Sequence, residues 1–79
     1  MTTTETNMPT KRKEDLAHGE MIRAGGAWWF AWDFKPAWGP FGGMIGWEVR
    51  RDGKLKAFVG RGDTRPYLTA AQVEAGAGN

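Results

Sequence analysis

From residue 27 to residue 35 an aromatic side chain recurs at every second position: Trp28, Phe30, Trp32 and Phe34. Trp29, Ala31, Asp33 and Lys35 fall between them. A period of two sends the two sets to opposite faces of a β-strand. The spacing therefore predicts a strand over 27–35 with its even positions in the core. On that reading Trp32→Ala costs roughly 3–5 kcal/mol, enough to unfold a small domain. Trp29 is the misfit, because it lies on the face that otherwise goes to solvent.

Two more alternating runs, 44–50 and 54–60, flank Asp52-Gly53. A two-residue loop would set Val49 opposite Lys56 and Glu48 opposite Ala57, mixing apolar with charged on both faces. A three-residue loop, Arg51-Asp52-Gly53, pairs Arg50 with Lys54. It sets Val49 against Leu55, Trp47 against Ala57 and Ile45 against Val59, with Glu48 meeting Lys56 on the other face. One face is then apolar and the other holds an opposite-charge pair. The pattern predicts the three-residue form, with Gly53 as the left-handed residue of a bulge.

Elsewhere the pattern is weaker. Residues 1–10 show no hydrophobic period and read as a disordered tail. Residues 11–23 bring Leu16, Ala17, Met21 and Ile22 roughly onto one helical face. Gly19 interrupts that N-terminal helix at a cost of about 1 kcal/mol relative to alanine. Gly25-Gly26 stops it. Pro36 breaks the aromatic strand. Residues 37–43 form a Gly- and Pro-containing loop that carries Trp38 and Phe41, and 61–66 read as another loop. Thr69 then caps a short helix, with Gln72 completing a capping box and Leu68 and Val73 placed as a hydrophobic staple. That helix ends at Gly76, and 77–79 fray. The expected fold is α+β: a single domain over 11–76, built as a three-stranded antiparallel meander with a short C-terminal helix.

Composition sharpens this. The 79 residues include five tryptophans, all between residues 28 and 47, and no cysteine. So short a chain has little core, and its usual staples are disulfides, metals or oligomerisation. Disulfides and thiolate metal sites are excluded. A single histidine, His18, makes no metal site alone, and no cofactor is implied. Dense aromatic packing is left to stabilise the fold. Cysteine's absence suits a reducing cytoplasm. Neither a signal peptide nor an apolar run of about 20 residues is visible. The net charge of +2 is mildly basic, which permits nucleic-acid contact without demanding it.

Candidate chemistry is sparse. Serine is also missing. His18, near Glu14, Asp15 and Glu20, reads as a solvated surface histidine. Asp33, the one carboxylate amid aromatics, reads as lying on the wet face of its strand. Arg61-Gly62-Asp63 matches a cell-adhesion tripeptide by composition alone, and Gly42-Gly43 precedes no helix that would make a phosphate loop. No enzyme is expected.

Two binding surfaces remain. A three-stranded sheet and one short helix cannot cover eight large aromatics on one side, and surplus exposed aromatics mark a partner or self-association. Trp29, Trp38 and Phe41 are the expected surplus, with another protein as the expected partner. The alternative is single-stranded nucleic acid. Arg50, Lys54, Lys56 and Arg61 lie on or near the hairpin, and Phe58 shares the outward face with Lys54 and Lys56, as stacking aromatics and cations do in such binders. Insertion into a membrane interface is disfavoured, because no basic amphipathic helix lies beside the aromatics. The run Trp47-x-Val49-x-Arg51-Asp52-Gly53-Lys54-x-x-Ala57, followed by a threonine-capped Ala-rich helix, resembles small phage and mobile-element proteins of high-GC bacteria. Some of those bind and block a host complex. The resemblance covers the last third of the chain and implies a non-enzymatic accessory or inhibitor-like protein.

Overall fold

Glycine pairs and short polar turns divide this chain into many brief strands. The computed structural model describes residues 8–79, so most of the tail expected over 1–10 lies outside the described residues, while Thr10 already belongs to a strand. Seven strands and one helix form among the described residues. They are β1 (Thr10–Arg12), β2 (Met21–Ala24), β3 (Ala27–Phe30), β4 (Lys35–Trp38), β5 (Met44–Arg51), β6 (Lys54–Gly60), β7 (Thr64–Leu68) and α1 (Ala70–Glu74). One antiparallel sheet has the order β1-β7-β2-β3, the other β4-β5-β6. The second is a three-stranded meander, as the sequence suggests, but its first strand begins at Lys35. The residues before it serve the other sheet.

The aromatic run is not one strand. Asp33 Oδ2 accepts the Phe30 N–H at 2.9 Å, and the Phe34 N–H reaches the Ala31 carbonyl at 3.3 Å. These bonds wind Ala31–Asp33 into a 3-10 turn. The alternation is cut at its centre, so the four-aromatic core face does not form. Phe34 is buried, Trp28 and Phe30 are half-buried, and Trp32 is 56% exposed. The chain then enters β4, where Pro36 stands opposite Trp47. Pro36 does not end the strand, because β4 is an edge and its outer side needs no ladder donor.

The expected N-terminal helix is absent. Its residues form β1, a 3-10 turn at Lys13–Asp15, and β2. Met21, Ile22 and Ala24 are buried, and β2 lies between β7 and β3. Gly25 and Gly26, at φ +59° and +78°, close a two-residue turn between β2 and β3, the positive φ at both positions that such hairpins require. Gly25 also lies on β6, where an added Cβ would collide with the Lys56 carbonyl.

The β5–β6 hairpin departs from the predicted register. Arg51 pairs with Lys54, so the loop is the two-residue Asp52-Gly53, with φ +56° and +75°. The mispairing such a loop should cause is removed one step on. Arg50 pairs with Leu55 and Val49 with Ala57, leaving Lys56 as the extra residue of a bulge. Trp47 then meets Val59, and Glu48 meets Phe58 rather than Lys56.

Of the segment expected as a loop over 61–66, residues 61–63 form a turn and the rest belongs to β7. Pro66 pairs with Thr10 of β1, while pairing with β2 involves only Tyr67 and Leu68. Proline thus sits where β7 has a neighbour on one side only. The capping box forms as the sequence predicts: Thr69 Oγ1 accepts the Gln72 N–H at 3.2 Å, and Gln72 Oε1 accepts the Thr69 N–H at 2.8 Å. Gly76, at φ +104°, ends the helix, with N–H bonds from Gly76 to Val73 O and from Ala77 to Gln72 O.

The core consists of Ile22, Ala24, Phe34, Val49, Ala57 and Val59, with Leu16, Trp29 and Trp47 against it. It draws on both sheets. Ile22, Val49 and Val59 are wholly inaccessible, each contributing about 1.5–3 kcal/mol of burial.

Candidate functional site

Residues 36–47 carry no charged side chain. Lys35 and Glu48 stand opposite each other across β4 and β5, and everything beyond that row forms an uncharged finger. Its end is tied by two backbone bonds, Gly39 N–H to Gly43 O at 2.7 Å and Gly42 N–H to Gly39 O at 3.1 Å. The pairing shifts between Ala37 and Trp38, and Ile45 is the extra residue. Such a bulge re-aims the side chains beside it. Ile45 lies along the Gly39 backbone, its Cγ2 only 2.8 Å from where a Cβ at Gly39 would stand.

This finger carries the main apolar exposure. Trp38 is 65% exposed, Phe41 98% and Ile45 51%. Trp38 and Phe41 are thus placed in solvent. Ile45 was missed because the predicted hairpin register set it against Val59. The readable signal was the uncharged run itself, which continues past Gly43 to Trp47.

Trp29, the third expected contact residue, is less exposed than Trp38 and Phe41. It is half-buried against the core, its Nε1 donates to the Ala24 carbonyl at 2.9 Å, and the Arg51 guanidinium lies 5.5 Å from its ring centre. Trp32 takes the exposed role instead. Its ring stacks on Phe30 at 4.3 Å and meets His18 at 5.0 Å.

The expected basic–aromatic surface is dispersed. Lys54 borders the β5–β6 turn, and Arg61 lies beyond the other end of β6, its N–H bonded to Ile45 O at 3.1 Å. At 3.3 Å per residue they are roughly 20 Å apart. Arg50 Nε pairs with Glu48 at 2.9 Å, and its guanidinium also reaches Gly53 O at 3.4 Å. Phe58 is 39% exposed, and its ring lies against Gly46. Lys56 holds the bulge. Among the described residues, Lys35, Lys54, Lys56 and Arg61 have no carboxylate within ion-pair distance. Asp63 of the Arg-Gly-Asp turn folds back toward Gly60 and lies 3.7 Å from Arg65, with its side chain still more than half exposed.

The remaining charged contacts are structural. Glu20, largely buried, accepts Lys11 Nζ at 2.7 Å and the Ala17 N–H at 3.0 Å. The Lys11 hydrogen bond holds its carboxyl below the ordinary value, and the same bond holds Lys11 above its own. Lys13 Nζ sits 3.9 Å from the centre of the Trp47 ring, where burial pushes its amine down. Among the described residues no pocket opens, and no helix is long and apolar enough to cross a membrane. Comparison with protein-family models, curated proteins and solved structures finds no match.

Proposed function

We propose that this chain is a small non-catalytic binding protein whose contact element is the finger and whose partner is another protein. The exposure of Phe41, 98% at the end of an uncharged hairpin, carries the reading. An aromatic held so far out of the core contributes nothing to folding, whereas buried in a partner's pocket it supplies anchoring area of the kind that dominates interfaces. Trp38 and Ile45 beside it extend the surface. The resemblance of the C-terminal third to small accessory proteins agrees with an inhibitor-like role.

A photo-crosslinking amino acid at position 41 tests this. It should capture a discrete protein from a bacterial lysate, the same amino acid at position 55 should not, and Trp38→Ala should abolish the capture. Equal labelling from both positions would refute the reading. Single-stranded nucleic-acid binding through Arg50, Lys54, Lys56, Phe58 and Arg61 is the second reading, supported by the lack of carboxylate partners at three of those cations. It requires oligonucleotide affinity that falls steeply with salt and is lost in Lys54→Glu/Lys56→Glu.

A further inference from the structure

Charge is divided unevenly along the chain. Residues 35–61 hold six Lys or Arg and two Asp or Glu side chains, net +4, while the whole chain is only +2. That segment is the β4-β5-β6 sheet that bears the finger. Its two carboxylates do little to offset the cations there: Glu48 is taken by Arg50, and Asp52 lies in the turn at the far end of β5 from the finger. Arg61 adjoins Ile45, partway along the finger, through its backbone, and Lys35 opens β4 at the finger's base. Neither is ion-paired among the described residues.

We propose that the finger's partner is an acidic protein surface: an apolar slot that receives Phe41 and Trp38, bordered by carboxylates that meet Arg61 and Lys35. This rests on the reading of the finger as a protein-binding element. Complementary charge at the border steers encounter and fixes orientation, while the buried aromatic sets residence time. Three features select this occupant. Ile45 is aliphatic and offers a nucleobase no stacking face. Of the unpaired cations, Lys54 and Lys56 lie toward the β5–β6 turn, away from Trp38 and Phe41, so the exposed aromatics and these cations do not share one site. A second copy of the chain is a poor acidic partner, because Asp15, Glu20, Asp33, Glu48 and Asp63 are already engaged by their own cations, and the others among the described residues, Glu14, Asp52 and Glu74, stand on three separate elements. A contact between unlike faces would also be head-to-tail, giving a ring or an open chain of copies and not a simple two-fold dimer.

The test uses the full chain, immobilised, against a random peptide library displayed on phage. Enriched sequences should combine aliphatic or aromatic residues with an excess of Asp and Glu. A synthetic peptide from the selection should bind at least about tenfold more weakly to Phe41→Ala, through faster dissociation. Its association rate should fall about tenfold with Arg61→Glu/Lys35→Glu, and fall likewise with added salt. All three positions are exposed, and unchanged circular dichroism of the variants certifies the fold.

Peptides that depend on Phe41 but carry no acidic excess, or whose association ignores salt, overturn the acidic assignment and leave the finger reading standing. Failure to enrich any Phe41-dependent peptide counts against both. So does Phe41-dependent binding of an oligonucleotide, or of phosphatidylcholine/phosphatidylglycerol vesicles, in place of peptide. A concentration-dependent rise in mass by sedimentation, lost in Phe41→Ala, would assign the finger to a second copy instead.

Discussion

Asp33 and Arg51, eighteen positions apart in sequence, meet at 3.0 Å. The same carboxylate accepts the Phe30 N–H at 2.9 Å through its other oxygen. One side chain thus ends β3, shapes the turn that redirects the aromatic run, and links that turn to β5. Asp33→Ala removes both bonds and should cost about 1–2 kcal/mol, a fall of several degrees in Tm for a domain of this size. Asp33→Asn keeps an acceptor for Phe30 and loses the ion pair. That pair is partly solvent-exposed and worth well under about 1 kcal/mol. Thermal melts of the two variants should therefore separate, with Ala clearly the lower; equal Tm values would mean that the Phe30 bond contributes nothing.

The two aromatics that flank Asp33 should respond to truncation with losses of very different size. Phe34→Ala empties a core position and should cost roughly 3–5 kcal/mol. Trp32→Ala loses its stacking on Phe30 and its contact with His18 and should cost about 1 kcal/mol. Urea denaturation of both variants checks this. A Trp32 loss as large as that of Phe34 would restore the unbroken strand.

The β2–β3 turn offers a matched pair. Gly26 has open space around it, so Gly26→Ala pays only for its left-handed backbone, about 1 kcal/mol. Gly25→Ala adds a collision with the Lys56 carbonyl in the β6 bulge, and overpacking of that kind adds about 1–3 kcal/mol. Chemical denaturation should rank Gly25→Ala as the less stable by at least about 1 kcal/mol.

The Lys11–Glu20 pair makes stability depend on pH at both extremes. Glu20 titrates below its ordinary value near 4.5. Its contribution is complete above that value and is lost as pH falls through the lowered native one. Lys11 titrates above 10.5, so its contribution is complete below that value and is lost as pH rises through the raised one. Glu20→Gln should flatten the acid limb of a stability–pH profile measured by urea melts, leaving the neutral plateau lower. A variant whose acid limb matches the parent's would show that other carboxylates carry it.

The capping box at Thr69 and Gln72, the stop at Gly76, the strand character of 44–60 and the surplus of Trp38 and Phe41 were all legible in the sequence. Each depends on residues close along the chain, where side-chain chemistry and local dihedral preference decide the outcome. What escaped was decided by distant partners. Residues 21–24 carry an apolar pattern that a helix could also use, and they become a strand because β3 and β7 flank them. Pro36 and Pro66 are tolerated because each has a strand neighbour on one side only. The hairpin takes its two-residue turn because a bulge at Lys56 resets the register, and the Lys56 carbonyl there rests on Gly25 of the other sheet. Trp29 and Trp32 exchange their expected places because Asp33 finds Phe30 and Arg51. Alternation specifies which side chains share a face only while the strand runs unbroken, and tertiary contacts determine where it breaks.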